Sequence, residues 1–197
     1  MIQIETEIDR YGACSEINAI QLLRCLHKKP MGRIALTREL DLSESRIRTM
    51  LKTLNLRKLT KPTTLGQALT RKGKQITETI NSQISYPKEL DAKSFTLHDN
   101  NVAYLIKGAP GKIGNILDER DSAIKTGADG LIILVQKSDL ELAGAGATKI
   151  KIPQSIKESF KLKRDDIIII TFARKKSISE LAGLAAALKL TGFRLNI

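Results

Sequence analysis

Across residues 44–56 the large apolar side chains Ile47, Met50, Leu51 and Leu54 recur at three- and four-residue spacing, which only a helix gathers on one face. The spacing predicts a helix over Glu44–Leu56. At about 100° per residue its opposite face carries Ser45, Thr49 and Lys52, with Arg46, Arg48 and Thr53 on the flanks. Ser43 stands where an N-cap is expected, and Glu44 suits the positive end of the helix dipole. Arg33–Leu40 reads as a short helix joined to this one by the turn Asp41–Ser43. Upstream, Ser15–Lys28 is a predicted helix burying Ile17, Ile20, Leu23 and either Leu26 or His27, ended by Pro30 and Gly32. Downstream, Leu59–Pro62 and Ala68–Thr70 alternate as paired strands around a turn at Thr63–Gln67. A helix over Arg71–Ile84 follows, with Ile76, Ile80 and Ile84 in a narrow stripe. Such a stripe closes this unit or pairs with the same helix of a second subunit.

The texture changes after a polar stretch beginning at Tyr86-Pro87-Lys88. Strands are predicted at Val102–Ile106, Leu131–Gln136, Lys149–Ile152 and Ile167–Phe172, and helices at Gly111–Thr126, Gln154–Phe160 and Ser177–Leu190. Phe193–Ile197 is a candidate edge strand. The unbroken apolar runs Leu131–Val135 and Ile167–Ile170 suggest central strands covered on both faces, with helices on one face of a mixed sheet as the alternative. The expected organisation is therefore two domains of α+β and α/β character: residues 1–85, a linker at 86–94, and a small α/β sandwich at 95–197.

Charge separates the two halves. The 197-residue chain carries a net +12. Between Arg24 and Lys74 there are 14 Lys and Arg against three acids, Glu39, Asp41 and Glu44, so nearly all of the excess lies there. A cluster of that kind attracts phosphate irrespective of base sequence. Aromatic residues make up only 4% of the chain, and the basic segment has none. Base stacking, the usual means of holding single strands and RNA, is thus unsupported, and duplex DNA is the expected partner. No apolar run of 18 residues occurs and the N-terminus lacks a secretory pattern, so a cytoplasmic protein without membrane contact is expected. Cys14, Cys25, His27 and His98 have no zinc-ligand spacing, and Cys14 and Cys25, if both on the first helix, stand about 16 Å apart along its axis. Neither a metal nor a cofactor is expected.

The stretch Thr63–Gly73, above all Leu69-Thr70-Arg71-Lys72-Gly73, resembles the wing and following helix start of winged helix-turn-helix regulators, a likeness covering about the first 85 residues. The resemblance implies that Ser45, Arg46, Arg48, Thr49 and Lys52 enter the major groove. It implies backbone or minor-groove contact for the wing Lys61–Thr70, with Lys61, Gln67, Arg71 and Lys72 as contact residues. Val102–Gly108 and the run Asn115-Ile116-Leu117-Asp118-Glu119-Arg120-Asp121-Ser122-Ala123-Ile124-Lys125-Thr126-Gly127-Ala128 are similar to an archaeal family that joins a winged helix to an uncharacterised α/β domain. That likeness implies regulator architecture and no particular ligand.

Two features of the second half invite other chemistry. The loop Gly108–Gly114 lies between a strand and a helix start, where backbone amides and the helix dipole can hold an anion. A P-loop, however, needs Ser or Thr where Ile113 stands and Gly where Ile106 stands, and the glycine spacing departs from the dinucleotide fingerprint. Arg120 is centred on the apolar stripe Ile113, Ile116, Leu117 and Ile124. Its guanidinium either snorkels to solvent, pairs with a carboxylate, or binds an anionic effector. Gly108, Gly111, Lys112 and Arg120 are accordingly the candidate effector residues. Asp118, Glu119 and Asp121 do not converge in a way that catalysis would need. The expectation is a non-enzymatic, homodimeric regulator of transcription on duplex DNA, with a small-molecule effector as a further candidate partner. The alternative is an enzyme or small-anion-binding protein with its site at Gly108–Gly114 and the winged helix as an interaction module.

Overall fold

The computed structural model describes residues 15–92, 95–108, 116–145 and 151–195. Their elements, in chain order, are α1 (Glu16–Lys28), α2 (Arg33–Leu40), α3 (Glu44–Leu56), β1 (Thr60–Thr63), β2 (Gly66–Leu69), α4 (Arg71–Gln83), β3 (Lys88–Glu89), β4 (Asn100–Ile106), α5 (Ile116–Lys125), β5 (Gly130–Gln136), β6 (Leu140–Leu142), α6 (Gln154–Lys157), β7 (Ile167–Ala173) and α7 (Lys176–Thr191). The fold is mixed α+β, and it divides into two compact units. One runs to Ile80 and takes in Arg194 onward; the other is Asn81–Phe193. Among the described residues no helix is long and apolar enough to cross a membrane.

In the first unit α1 starts at Ser15, whose hydroxyl accepts from the Asn18 amide at 3.2 Å. Ala19, Ile20, Leu22 and Leu23 of α1, Leu36 of α2 and Ile47, Met50 and Leu54 of α3 are fully buried. Each large apolar side chain so buried stabilises by roughly 1.5–3 kcal/mol, against the few tenths available from a surface pair, so this core sets the rotation of α3. The turn between α2 and α3 places Asp41 in the left-handed region at φ 52°, its amide returning to the Thr37 carbonyl. Ser43 then caps α3, accepting from Arg46 N at 3.4 Å.

The hairpin is tighter than its sequence suggests. Thr63 pairs with Gly66 and Pro62 with Gln67, leaving only Thr64 and Leu65 in the turn. Gly66 makes this geometry, with φ 111° and a backbone so close to the Met31 carbonyl that a Cβ would lie 2.6 Å from it. Gln67 exchanges both backbone hydrogen bonds with Met31, at 3.0 and 2.9 Å, which ties the hairpin to the segment entering α2. Thr70 then caps α4, its hydroxyl donating to Lys58 O at 2.6 Å and accepting from Gly73 N at 3.1 Å.

The second unit is a five-stranded sheet of order β3-β4-β7-β5-β6 with every pairing antiparallel. The unbroken apolar runs therefore report burial on both faces and carry no information about strand direction. On one face Tyr104 and Thr171 meet α7: the Tyr104 hydroxyl donates to Glu180 O at 2.9 Å, and Thr171 Oγ1 donates to Ser179 O at 2.7 Å. The other face, through Ala103, Leu105, Leu134, Ile168 and Ile170, packs on Ile152, Ile156 of α6 and neighbouring partly buried side chains. Helices α5 and α7 share the first face.

Several sequence expectations differ from this arrangement. The stretch 86–94, expected as a linker, contains β3, paired with Val102 and Ala103 of β4. Ile84 of the isoleucine stripe bridges to Ile106, so the stripe does not all belong to the first unit's core. The Leu140–Leu142 strand was not expected, because at three residues its alternation is too short to stand out. The helix expected over Gly111–Thr126 is described only as α5, and the one over Gln154–Phe160 spans four residues. Lys151 and Ile152 form no strand, and residues 193–195 are irregular. The Leu195 amide there donates to the Glu16 carboxylate, a polar anchor that replaces strand pairing. The mixed sheet and the Phe193–Ile197 edge strand are thus not found among the described residues. Cys14, Gly111, Lys112, Ile113, Gly114 and Lys149 lie outside those residues.

Candidate nucleic-acid interface

Of the residues singled out on α3, Ser45, Arg46, Arg48, Thr49 and Lys52 are all exposed, and the buried set is Ile47, Met50, Leu51 and Leu54. The outward row is chemically specific in the way its hydroxyls are oriented. Thr49 Oγ1 donates to Ser45 O at 3.1 Å and Thr53 Oγ1 to Thr49 O at 3.2 Å. Their protons are engaged by the helix, so acceptor lone pairs face outward. Among the described residues Arg46, Lys52, Lys61 and Arg71 make no ion pair, while Arg48 lies 3.1 Å from Glu44 one turn earlier.

The same Glu44 oxygen is 3.9 Å from Arg33, the first residue of α2. One carboxylate thus stands between two guanidiniums from different helices. Both pairs are more than half exposed, a setting in which an ion pair contributes about 0–1 kcal/mol. Beside them runs an open groove of about 640 Å³, walled by Arg33, Arg48 and Lys52, with Leu51 and Leu56 as its apolar part. Asn55 and Gln67 complete it. The Thr60 hydroxyl donates to Asn55 Oδ1 at 2.6 Å, which leaves the Asn55 amino group as the end available to the groove. Gln67 Oε1 is buried without a hydrogen-bond partner.

The residues expected on a wing do not form one set. Lys61 is exposed on β1, and Arg71 and Lys72 are exposed at the start of α4. Lys72 Nζ reaches Arg57 O at 3.5 Å, near the end of α3. Gln67, expected on the outer hairpin, is half-buried in the groove instead, because its backbone is clamped to Met31. Leu65 at the hairpin tip is 75% exposed. Sequence reasoning missed Arg33, Asn55 and Leu56. The available signal was Leu56, an apolar residue four positions after Lys52 and eight after Arg48 on a face otherwise polar.

In the second unit Gly108 takes φ 59°, and its amide donates to Asp166 Oδ1 at 3.1 Å. The buried Asp166 also accepts from Lys163 N at 2.9 Å. The amide considered for an external anion is therefore occupied by the protein's own carboxylate. Arg120 is exposed, and the buried side of α5 carries Glu119 and Ala123, with Ile124 half exposed. The stripe expected to be centred on Arg120 is rotated by about one residue. The buried charge is Glu119, held by Lys189 at 3.1 Å, with its second oxygen lacking a hydrogen-bond partner.

Two family models match parts of this chain. Residues 17–75 match the N-terminal domain of PH0730-like proteins, and residues 97–190 match a domain of unknown function, DUF4443. Among solved structures, the hypothetical protein PH0730 from Pyrococcus horikoshii OT3 is similar over 91% of this chain and 94% of its own, with a TM-score of 0.75 and 24% identity. No curated protein matches the chain. These likenesses are consistent with an archaeal protein of two domains, and the structural neighbour bears on the fold alone.

Proposed function

We propose that the first unit is a winged helix-turn-helix that binds duplex DNA and that the chain is a sequence-specific regulator of transcription. In this reading α2 and α3 are the helix pair, the β1–β2 hairpin is the wing, and α3 lies in the major groove. The observation that carries it is the outward row of α3. Ser45 and Thr49 offer short polar groups to base edges, flanked by Arg46, Arg48 and Lys52 for phosphate or guanine, on a helix whose other face is anchored by four buried side chains. Lys61 and Arg71 extend the cationic surface on the hairpin side. The second unit, in this reading, brings two copies together or responds to an effector.

The test is to incubate purified full-length protein with sheared genomic DNA near physiological salt and sequence what it retains. Discrete sites, with related half-sites about one helical turn apart, support a dimeric regulator. Uniform retention leaves a non-specific binder, and no retention overturns the reading. The alternative site at Gly108–Gly114 lacks comparable support, since the Gly108 amide is engaged by Asp166. A thermal-shift screen with nucleotides, phosphates and metals checks it, because a ligand of the folded state raises the melting temperature.

A further inference from the structure

The groove beside α3 shares Lys52 and Leu56 with the outward row and continues onto one flank of the helix. Ser45 and Thr49 lie at the centre of the exposed face, whereas Arg48, Asn55 and Leu51 fall on one flank, turned from that centre by about 60° or more at 100° per residue. Arg46 and Thr53 occupy the other flank. The first flank is walled by a second helix and a strand, through Arg33 and Gln67.

We propose that this groove seats one phosphodiester and its deoxyribose from the backbone of the bound duplex, with Arg33 as a contact residue; the inference rests on the duplex-DNA reading above. Charge is the first reason. Arg33, Arg48 and Lys52 line the groove. Glu44, which pairs with the two arginines, is the one carboxylate paired with any of them among the described residues, so the groove keeps a cationic excess suited to a monoanionic phosphodiester. Exposed pairs with Glu44 at 3.9 and 3.1 Å hold the two guanidiniums near the groove and are weak enough to yield to a phosphate. The second reason is donor supply. Asn55 has its oxygen committed to Thr60 and its amino group left over. Gln67 buries its Oε1, which leaves its amino group as the end turned to the groove. The third reason is apolar surface. Leu56 is 74% exposed beside Lys52, and a sugar face covers it where a bare anion does not. At about 640 Å³ the groove is far larger than an inorganic ion needs.

The experiment is fluorescence anisotropy of the full chain with a retained duplex and with unrelated duplexes, over a range of salt. Arg33→Ala should weaken binding roughly tenfold to every duplex alike and flatten the slope of log affinity against log salt by about one. Arg33→Lys should keep the slope while recovering only part of the affinity, since it keeps the charge and loses the fork. Leu56→Ser should weaken binding at unchanged slope. Arg38→Ala, on the exposed side of the same helix but outside the groove, should change neither. Wild-type binding with Arg33→Ala unaltered in affinity and slope overturns the groove and leaves the DNA reading intact. Absence of duplex binding by the wild type removes that reading and this inference together. Saturable uptake of inorganic phosphate in the groove without duplex binding reassigns it to a free anion and overturns the proposal.

Discussion

Lys189 Nζ lies 3.1 Å from the Glu119 carboxylate, an ammonium 42% exposed joined to a carboxylate only 5% exposed. The two belong to α7 and α5, which lie side by side on one face of the sheet. Because Glu119 Oε2 has no other partner, the lysine is its main compensation for lost hydration. Lys189→Met should destabilise by about 1–3 kcal/mol, less than for a fully buried pair because the lysine is partly solvated. Glu119→Gln should cost less than Lys189→Met, since no charge is left buried and the amide oxygen can still accept from Lys189. Urea unfolding decides it: equal midpoints for Lys189→Met and wild type would mean that solvent, not the lysine, balances Glu119.

Arg48→Ala and Lys52→Ala should each weaken duplex binding about tenfold with little change in melting temperature, because both side chains are exposed and α3 is anchored from its other face. Unchanged affinity in both variants would show that this face of α3 does not meet DNA.

Gly73 sits in the first turn of α4 with the Leu59 carbonyl oxygen 2.0 Å from where a Cβ would be. Gly73→Ala cannot be absorbed by a flexible side chain, since the obstruction is backbone. It should cost about 2–4 kcal/mol and loosen the Thr70 cap on Lys58 and Leu59. A melting temperature at or above that of wild type would refute the close approach.

The Asp139 carboxylate is held below its ordinary range, first by the Lys157 ammonium at 2.9 Å and then by the Leu140 amide. A depressed folded-state value means that the associated stabilisation is present above the unfolded aspartate value and is lost as pH falls through the folded one. The group is fully solvated, so the effect on global stability is small. Carboxyl NMR titration should place the Asp139 midpoint below that of an unperturbed aspartate, and Lys157→Ala should raise it. A midpoint indifferent to that substitution would rule out the lysine as the cause.

A single helix in the major groove reads only a few base pairs, so the regulator reading expects two copies to compete against bulk DNA. Light scattering at micromolar concentration should return the mass of a dimer. A monomer under those conditions would require another source of specificity.

The bounds of α2 and α3 and the inward face of α3 were legible because their signals are local. Ser43 caps three residues into its own helix, and Ile47, Met50, Leu51 and Leu54 leave one rotation that buries them all. The strands β4, β5 and β7 were legible for a similar reason, as unbroken apolar runs. What those runs could not carry was direction, because a strand buried on both faces has the same composition whether its neighbours run parallel or antiparallel. Nor could α5 be oriented, since Ile116, Leu117 and Ile124 leave the centre of the apolar face uncertain by one residue. Contact with α7 turned Glu119 inward to Lys189 and Arg120 outward. The groove was hidden for the same cause: Arg33, Asn55 and Gln67 are 22 and 12 residues apart in turn, and the Met31–Gln67 backbone pairing brings β2 beside the start of α2. Periodicity and capping, which act within a few residues, were determined by the sequence alone. Strand direction, the choice of buried charge and the walls of the groove depended on partners distant in the chain, and only the tertiary structure decided them.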